Sequence, residues 1–417
     1  MNSMTSRRMQ TTTVVLAAVS LLATACGSSS SGSAAASSAA TSAAAAAPTS
    51  AAAAAAPTSA AAASAAAPTS ATAASAAAPS SAASAAAPSA AAGSAQQVNS
   101  TSGAGCTSAT YAGGVSKLDL SKPGSITIGF AQSEATSNPF RATETKSITA
   151  AAKAAGFKLI QTNANGSGTQ ENTDIENLIN RGAQFLIVAP EDSTSESAAI
   201  AQAKAKKIPV LTIDRTVNGT ACTDFVGFIG SNFTGQAKIA ADDLGASLSG
   251  KGNVAILEGS TGNNVALART NGFKDEMKAK YPGITIVADQ TANFDLATGQ
   301  KVMAQFLQSK TINGVYAEND EMALGAISAI KQAGKTAGTT GSDIRIVSID
   351  GVREFVQDVA NGVAVADVET NPRFGPLAFA AIKDFYGTKG APATTIITDH
   401  HFTKANAAAS LTNGSVY

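Results

Sequence analysis

Apolar and polar positions alternate along residues 126–360 in a pattern that predicts alternating strands and helices. The predicted strands are short, nearly continuous apolar runs, which is typical of strands buried on both faces of a parallel sheet. They are Ile126–Gln132, Phe157–Asn163, Phe185–Ala189, Pro209–Ile213, Val226–Ile229, Asn253–Glu258, Ile284–Ala288, Gly314–Ala317 and Ile344–Ile349. The amphipathic segments between them predict the helices Pro139–Ala155, Gln170–Arg181, Thr194–Lys206, Phe233–Leu248, Val265–Lys280, Leu296–Gln308, Met322–Gln332 and Phe355–Ala360. These strands are too many for one small sheet, so the sequence predicts an α/β fold of two doubly wound parallel-sheet lobes.

The first 25 residues have the form of an export signal. Arg7 and Arg8 precede an apolar stretch at residues 11–23, which is too short to span a membrane as a helix. Small residues then lead to Cys26, as in a bacterial lipobox, so we expect a lipoprotein signal peptide at 1–25 and a lipid on Cys26. An ordinary signal peptide cut nearby remains the alternative, and the arginine pair leaves both the general and the twin-arginine export routes open.

Residues 26–103 are composed almost wholly of Ala, Ser, Thr and Pro. Prolines end each alanine run before an isolated helix could become stable, and there are few large apolar side chains to form a core. We therefore expect a disordered tether over this range. Ser and Thr beside Pro are also compatible with O-glycosylation.

The charged residues lie almost entirely beyond this tract. From Lys117 onward the chain has 27 basic and 29 acidic residues, a net charge of −2, which argues against a nucleic-acid partner. The two histidines, His400 and His401, are too few for a histidine-rich metal site. We expect neither a metal nor a cofactor.

Polar, planar and charged residues follow the predicted strands, where ligands bind in open α/β sheets. They are Asn138, Phe140, Arg141, Asp214, Arg215, Arg269, Phe294, Asn319, Asp350 and Glu369. Carboxylates, guanidiniums and amides form paired hydrogen bonds to adjacent hydroxyls, and aromatic faces pack on the C–H faces of a sugar ring, so the set favours a sugar ligand. Helix capping is the alternative for any one Asp or Asn, and a structural salt bridge is the alternative for the Asp214-Arg215 pair.

Four of these motifs resemble the type I periplasmic sugar-binding proteins of ABC importers, in the ribose/galactose group. They are Asn138-Pro139-Phe140, Asp214-Arg215, Ala317-Glu318-Asn319-Asp320 and Ser348-Ile349-Asp350-Gly351. Other stretches, such as residues 129–132, 140–145, 265–269 and 375–379, are most similar to the galactofuranose-binding receptor. The resemblance implies an N-terminal lobe at 104–228 plus about 371–396 and a C-terminal lobe at 229–370 plus about 397–417. It also implies a three-segment hinge near Gly227–Ser231, Glu369–Pro372 and Thr394–Thr398.

The same resemblance implies roles for individual residues. Phe140 and Phe294 correspond to stacking aromatics, and the other eight residues of the set correspond to polar ligand contacts from the two lobes. Phe140 stands where the galactofuranose receptor has tryptophan, and the loop Ser133–Ser137 is one residue longer, so the sequence leaves the exact sugar and its ring form open.

Cys106 and Cys222 remain once Cys26 is set aside as a lipid attachment site. An even pair of cysteines in an exported protein suggests one disulfide, with two unpaired thiols as the alternative.

Together these features predict a monomeric solute-binding protein, not an enzyme, anchored by lipid to the outer face of the cytoplasmic membrane. Its partners would be a monosaccharide and the permease subunits of an ABC importer. Two alternatives remain: a glycosidase that uses the carboxylates of the cleft, and a sensor that presents a sugar or an autoinducer to a signalling partner.

Overall fold

A computed structural model describes residues 97–417, which form two β-sheets with helices on both faces. The strands are β1 Val98–Ser102, β2 Thr127–Gln132, β3 Lys158–Asn163, β4 Phe185–Ala189, β5 Val210–Ile213, β6 Phe228–Gly230, β7 Lys251–Glu258, β8 Gly283–Thr291, β9 Gly314–Ala317, β10 Arg345–Asp350, β11 Ala366–Glu369, β12 Thr394–Ile397 and β13 His401–Thr403. The helices are α1 Pro139–Ala155, α2 Gly168–Asn180, α3 Ser197–Ala205, α4 Phe233–Ser247, α5 Asn264–Lys280, α6 Leu296–Ser309, α7 Asp320–Gln332, α8 Arg353–Asn361, α9 Gly375–Tyr386 and α10 Ala407–Asn413. The predicted α/β class with two mainly parallel sheets is confirmed.

The first sheet has the order β1-β12-β6-β5-β4-β2-β3, and all of its pairings are parallel except that of the edge strand β1. Its interior strand β4 is buried at all five residues, as the continuous apolar run Phe185–Ala189 predicts. We call this sheet with its helices the first lobe.

The second sheet has the order β13-β11-β10-β9-β7-β8, and only its edge strand β13 pairs antiparallel. Its strand β10 is buried at all six residues. We call this sheet with its helices the second lobe. The chain passes between the two sheets three times, after Gly230, after Glu369 and after Ile397, and we call these the three crossings.

Two predicted boundaries are wrong. Residues 98–102, placed in the tether, form β1, which pairs antiparallel with β12 of the first sheet. The lobe boundary at 228 would divide β6, yet Phe228–Gly230 lies wholly in the first sheet. The predicted signal peptide, the lipid site Cys26 and the rest of the tether lie outside the described residues. No helix within residues 97–417 is long and apolar enough to cross a membrane.

A disulfide joins Cys106 to Cys222 within the first lobe, with the two Cα atoms 5.3 Å apart. The backbone of Cys106 also exchanges two hydrogen bonds with Ala391, at 2.6 and 2.8 Å. The Tyr111 hydroxyl donates to the Asp224 carbonyl at 3.0 Å. The segment before β2 is therefore fixed to the edge of the first lobe.

Candidate functional site

One small cavity lies between the lobes, where strands of both sheets end. Nine of the ten residues singled out in the sequence line it, together with two others; the lining is Glu134, Asn138, Phe140, Arg141, Asp214, Arg215, Val265, Arg269, Phe294, Asn319 and Asp350. Its free space is about 20 Å³, on the order of one water molecule. A larger ligand therefore requires the lobes to separate or the lining side chains to reorient.

Three of the lining residues have a backbone conformation that L-residues rarely adopt. The φ angles are 59° at Asp214, 56° at Phe294 and 147° at Asp350. Non-glycine residues with positive φ persist only where surrounding structure holds them, and they concentrate at functional sites. The unusual backbone conformation at these three residues therefore determines the direction in which their side chains point.

Arg141 is the centre of the charge network in the first lobe. It lies in the first turn of α1 and is buried, with 2% of its surface exposed. Its guanidinium contacts three carboxylates, those of Glu134 at 2.8 Å, Asp214 at 2.9 Å and Glu144 at 2.9 Å. Three acidic partners fix the position of one buried cation, so Arg141 meets the cavity in a defined orientation.

Arg215 contributes a second buried guanidinium from the loop after β5. It contacts Glu134 at 2.7 Å and Glu191 at 3.4 Å, while its Nε lies 3.6 Å from the Asp214 carboxylate. The salt-bridge reading of the Asp214-Arg215 pair is therefore correct in part. Both side chains also line the cavity, so it does not replace the ligand-binding reading.

Glu134 was missed in the sequence, although it bridges Arg141 and Arg215. Burial alone would raise the pKa of Glu134, but Arg215 and Arg141 outweigh burial and lower that pKa to about 2. The residue lies within the loop Ser133–Ser137, which the sequence marked only for its length. A carboxylate next to the end of the first strand was the available signal.

Arg269 is the cation of the second lobe. Its Nη2 donates to Asp350 at 3.1 Å and to the Thr370 hydroxyl at 2.6 Å, and its Nη1 donates to the Glu318 carbonyl. Asp350 has this single arginine as its salt-bridge partner among the described residues. Burial outweighs the attraction of Arg269 and raises the pKa of Asp350 to about 7.

Two phenylalanines from opposite lobes lie at the cavity wall. The Arg141 guanidinium carbon lies 4.8 Å from the ring centre of Phe140, and that of Arg215 lies 5.4 Å from the ring centre of Phe294. The Phe294 ring also covers Gly259, where a Cβ would come within 1.9 Å of the ring. Only glycine fits at 259, so the position of Phe294 depends on it.

Two of the polar residues at strand ends cap helices, as the alternative reading allowed. The Asn138 side chain accepts from the Arg141 amide at 3.2 Å at the start of α1. The Asn319 side chain accepts from the Met322 amide at 3.0 Å and donates to the Phe294 carbonyl at 3.2 Å. Asn319 thereby joins the start of α7 to the backbone of Phe294.

Glu369 is the one expected site residue that does not line the cavity. Its carboxylate is buried against His400, whose ring Nδ1 it contacts and whose amide donates to it at 3.0 Å. The Glu369 amide donates in turn to the His400 carbonyl at 2.8 Å. In this structure the Glu369 side chain joins the second crossing to the third, and a ligand contact at Glu369 stays a prediction.

Hydrogen bonds also join the lobes at the rim of the cleft. The Asn263 side-chain Nδ2 donates to the Glu191 carbonyl at 2.9 Å, and the Thr216 backbone amide donates to the Asn264 side chain at 3.1 Å. Both contacts pair a loop of the first lobe with the start of α5. The structure thus has its lobes closed over the cavity.

Once the lobes separate or the lining side chains reorient, the arrangement can hold a small, hydroxyl-rich ligand beside two phenylalanines from opposite lobes. Three guanidiniums and three carboxylates line the cavity. In this structure each of them forms a salt bridge with a group of opposite charge in the same set. Ligand hydroxyls can take over these hydrogen bonds because hydroxyls both donate and accept. Charged partners make such hydrogen bonds stronger than neutral ones.

Comparisons with known proteins indicate the family of this chain. Residues 128–385 match the family model described as the periplasmic binding protein domain. The galactofuranose-binding protein of Escherichia coli K12 is 32% identical over 278 residues, which cover 65% of this chain and 85% of that protein. The ribose import binding protein of Haemophilus influenzae is 34% identical over 236 residues, covering 56% of this chain and 77% of that protein.

Solved structures of sugar-bound proteins are also similar to this chain. A Mycobacterium smegmatis protein in complex with β-D-fucofuranose is similar at a TM-score of 0.64 and 35% identity, covering 69% of this chain and 94% of that one. The binding protein of a Shewanella arabinose transporter, bound to α- and β-L-arabinofuranose, is similar at a TM-score of 0.64 and 33% identity, covering 69% and 95%. The match over most of the folded residues shows that this chain belongs to the periplasmic binding protein domain family.

Proposed function

We propose that this chain is the solute-binding protein of an ABC sugar importer and that it clamps a monosaccharide in its furanose form. The observation behind the proposal is the cavity that both lobes line with three arginines, three carboxylates and two phenylalanines. Neither lobe completes this set alone, so a ligand that contacts both sets of side chains stabilises the closed arrangement.

The furanose form is supported by the relatives. Similar proteins that are 29–35% identical to this chain bind galactofuranose, fucofuranose or arabinofuranose. The choice of ring form therefore comes from these relatives and needs a direct test.

The proposal includes the location of the protein and its partners. With a lipid on Cys26 and a tether over most of residues 27–97, the folded part would stand at the outer face of the cytoplasmic membrane. A monomer in the closed form would then deliver its sugar to the permease of the importer. Replacing Cys26 with serine should release the protein from the membrane without abolishing sugar binding, because the cavity is built only from residues 134–350.

A thermal-shift and calorimetric screen tests the ligand. Methyl β-D-galactofuranoside and methyl β-D-galactopyranoside form a matched pair in which only the ring form differs, and L-arabinose, D-ribose and D-galactose complete the panel. A ligand at 100 times its Kd stabilises the folded state by about 2.7 kcal/mol, which gives a measurable rise in Tm. We expect the furanoside to raise the Tm and the pyranoside not to. Failure of every sugar in the panel to bind would contradict the proposal.

A further inference from the structure

Two of the three crossings bond one buried side chain, that of Gln236 in the first turn of α4. Gln236 is 3% exposed and belongs to the second lobe, but it does not line the cavity. Its amide nitrogen donates to the Glu369 carbonyl, the Thr370 hydroxyl and the Asp399 carboxylate, each at 2.9 Å. Its two hydrogens are thus shared among three acceptors on the second and third crossings.

The first crossing joins this network through Asp399. The hydroxyl of Ser231, directly after β6, donates to the second carboxylate oxygen of Asp399 at 2.8 Å. Asp399 therefore bonds the first crossing with one oxygen and Gln236 with the other. In this way hydrogen bonds to Gln236 and Asp399 connect all three segments that leave one lobe for the other.

The cavity joins the same network through Arg269. Nη2 of Arg269 donates to the oxygen of Gln236 at 3.3 Å, to the Thr370 hydroxyl at 2.6 Å and to Asp350 at 3.1 Å. The guanidinium that lines the cavity is therefore one hydrogen bond away from the side chain that holds the crossings. A ligand that displaces Arg269 changes the hydrogen bonds of both.

We propose that Gln236 is a positioning residue that couples Arg269 to the three crossings and thereby sets the balance between open and closed lobes. The inference rests on the proposed function, since it concerns how binding in this cavity leads to closure. Opening a hinge changes the backbone angles of its crossing segments. Their spacing then changes. A side chain that bonds the second and third crossings directly, and the first through Asp399, favours the arrangement in which its hydrogen bonds fit.

Two substitutions separate this role from a simple contact with Arg269. Gln236→Ala removes every hydrogen bond of the side chain. Gln236→Glu keeps an oxygen for Arg269 but places a second oxygen against the Glu369 carbonyl and the Asp399 carboxylate, where the donor had been. If holding Arg269 were the whole role, the glutamate variant would match or exceed the wild type. If the crossings matter, both variants favour the open form.

Closure can be measured without a ligand at the Thr216 amide, because it donates across the cleft to Asn264. We expect hydrogen exchange at Thr216 to be about tenfold faster in both variants of the full chain. Each sugar of the panel that binds the wild type should bind both variants about tenfold more weakly, since apparent affinity falls with the population of the competent state. Gln305→Ala and Gln305→Glu, at an exposed position of α6 in the same lobe, are the controls and should change neither quantity.

Two results would overturn the inference. One is wild-type exchange at Thr216 together with wild-type affinity in both variants. The other is faster exchange that extends equally to the buried strands β4 and β10, with a lower Tm, since that is a loss of folding stability and not of hinge balance. If no sugar binds the wild type, the proposed function fails, while exchange at Thr216 in the free protein still decides the role of Gln236.

Discussion

Replacing Asp214 with asparagine should weaken sugar binding with little loss of folding stability. Asp214 is 4% exposed and shares the Arg141 guanidinium with Glu134 and Glu144. Removing one carboxylate leaves Arg141 with two others, so no buried cation is left uncompensated. The large cost of breaking a buried ion pair, about 3–5 kcal/mol, therefore does not apply here.

We expect the loss of sugar affinity in Asp214→Asn to be larger than its loss of folding stability. A hydrogen bond to a charged group contributes roughly 1.5–3 kcal/mol, and every 1.4 kcal/mol is about tenfold in affinity. We expect the Kd of the best furanoside, measured by calorimetry, to rise roughly ten- to more than a hundredfold in Asp214→Asn. The urea midpoint of the free protein should stay close to that of the wild type.

Glu144→Gln is the matched control for this variant. Glu144 contacts the same guanidinium at the same distance of 2.9 Å, but it is fully buried and does not line the cavity. Its loss should leave the Kd within a few-fold of the wild-type value. Equal losses in both variants would mean that Asp214 acts only through Arg141. A wild-type Kd in a folded Asp214→Asn protein would refute a ligand contact at this position.

Three further predictions concern pH and the disulfide. Because burial raises the pKa of Asp350 to about 7, sugar affinity should improve from pH 6 to pH 8 as its carboxylate ionises, and calorimetry of Asp350→Asn should show no such change. Burial and the neighbouring Asp320 and Asp350 raise the pKa of Asp367 well above its usual value. Its contribution to stability is thus present at low pH and lost as pH rises. As the pH rises above 4, the free energy of unfolding of Asp367→Asn, measured in urea, should therefore increase relative to that of the wild type by up to about 1.4 kcal/mol per pH unit. Parallel pH profiles of the two proteins would contradict this. The Cys106–Cys222 bond spans 116 residues, which corresponds to about 5 kcal/mol of loop entropy. The double serine variant should lose stability of this order in chemical unfolding, and an unchanged midpoint would exclude a stabilising role for the bond.

The strands and helices could be predicted because buried segments have a recognisable pattern of apolar residues in the sequence. The run Phe185–Ala189 is apolar throughout, and the structure buries it on both faces as β4. Helix α1 begins at Pro139 after an asparagine cap and ends at Ala155 before Gly156 in the left-handed conformation, which are the residues that the pattern of start and stop signals indicates. Strand β1 has no such apolar pattern, because all five of its residues are exposed and its pairing with β12 is a tertiary contact.

The candidate site was predictable in its location but not in every side-chain direction. Parallel strands end at one edge of a sheet, so polar residues after several strands had to lie near one another. Glu369 ends β11 as Asp350 ends the neighbouring strand β10, and the two pair in register. Asp350 points into the cavity while Glu369 points to His400. Which neighbour a side chain meets depends on the local backbone, such as the φ of 147° at Asp350, and the sequence does not state it.

The fixed N-terminal segment has a consequence for the motion of the lobes. Strand β1, the Cys106–Cys222 bond and the Tyr111 contact all attach residues 98–111 to the first lobe. The Thr398 amide, at the third crossing, donates to the Gln97 carbonyl at 2.8 Å, so the chain that leads into β1 meets the folded part beside the hinge. Residues 97–111 therefore move with the first lobe when the hinge opens. The hydrogen bonds of Gln236 lie where the two lobes meet, so a ligand contact at Arg269 reaches the hinge directly.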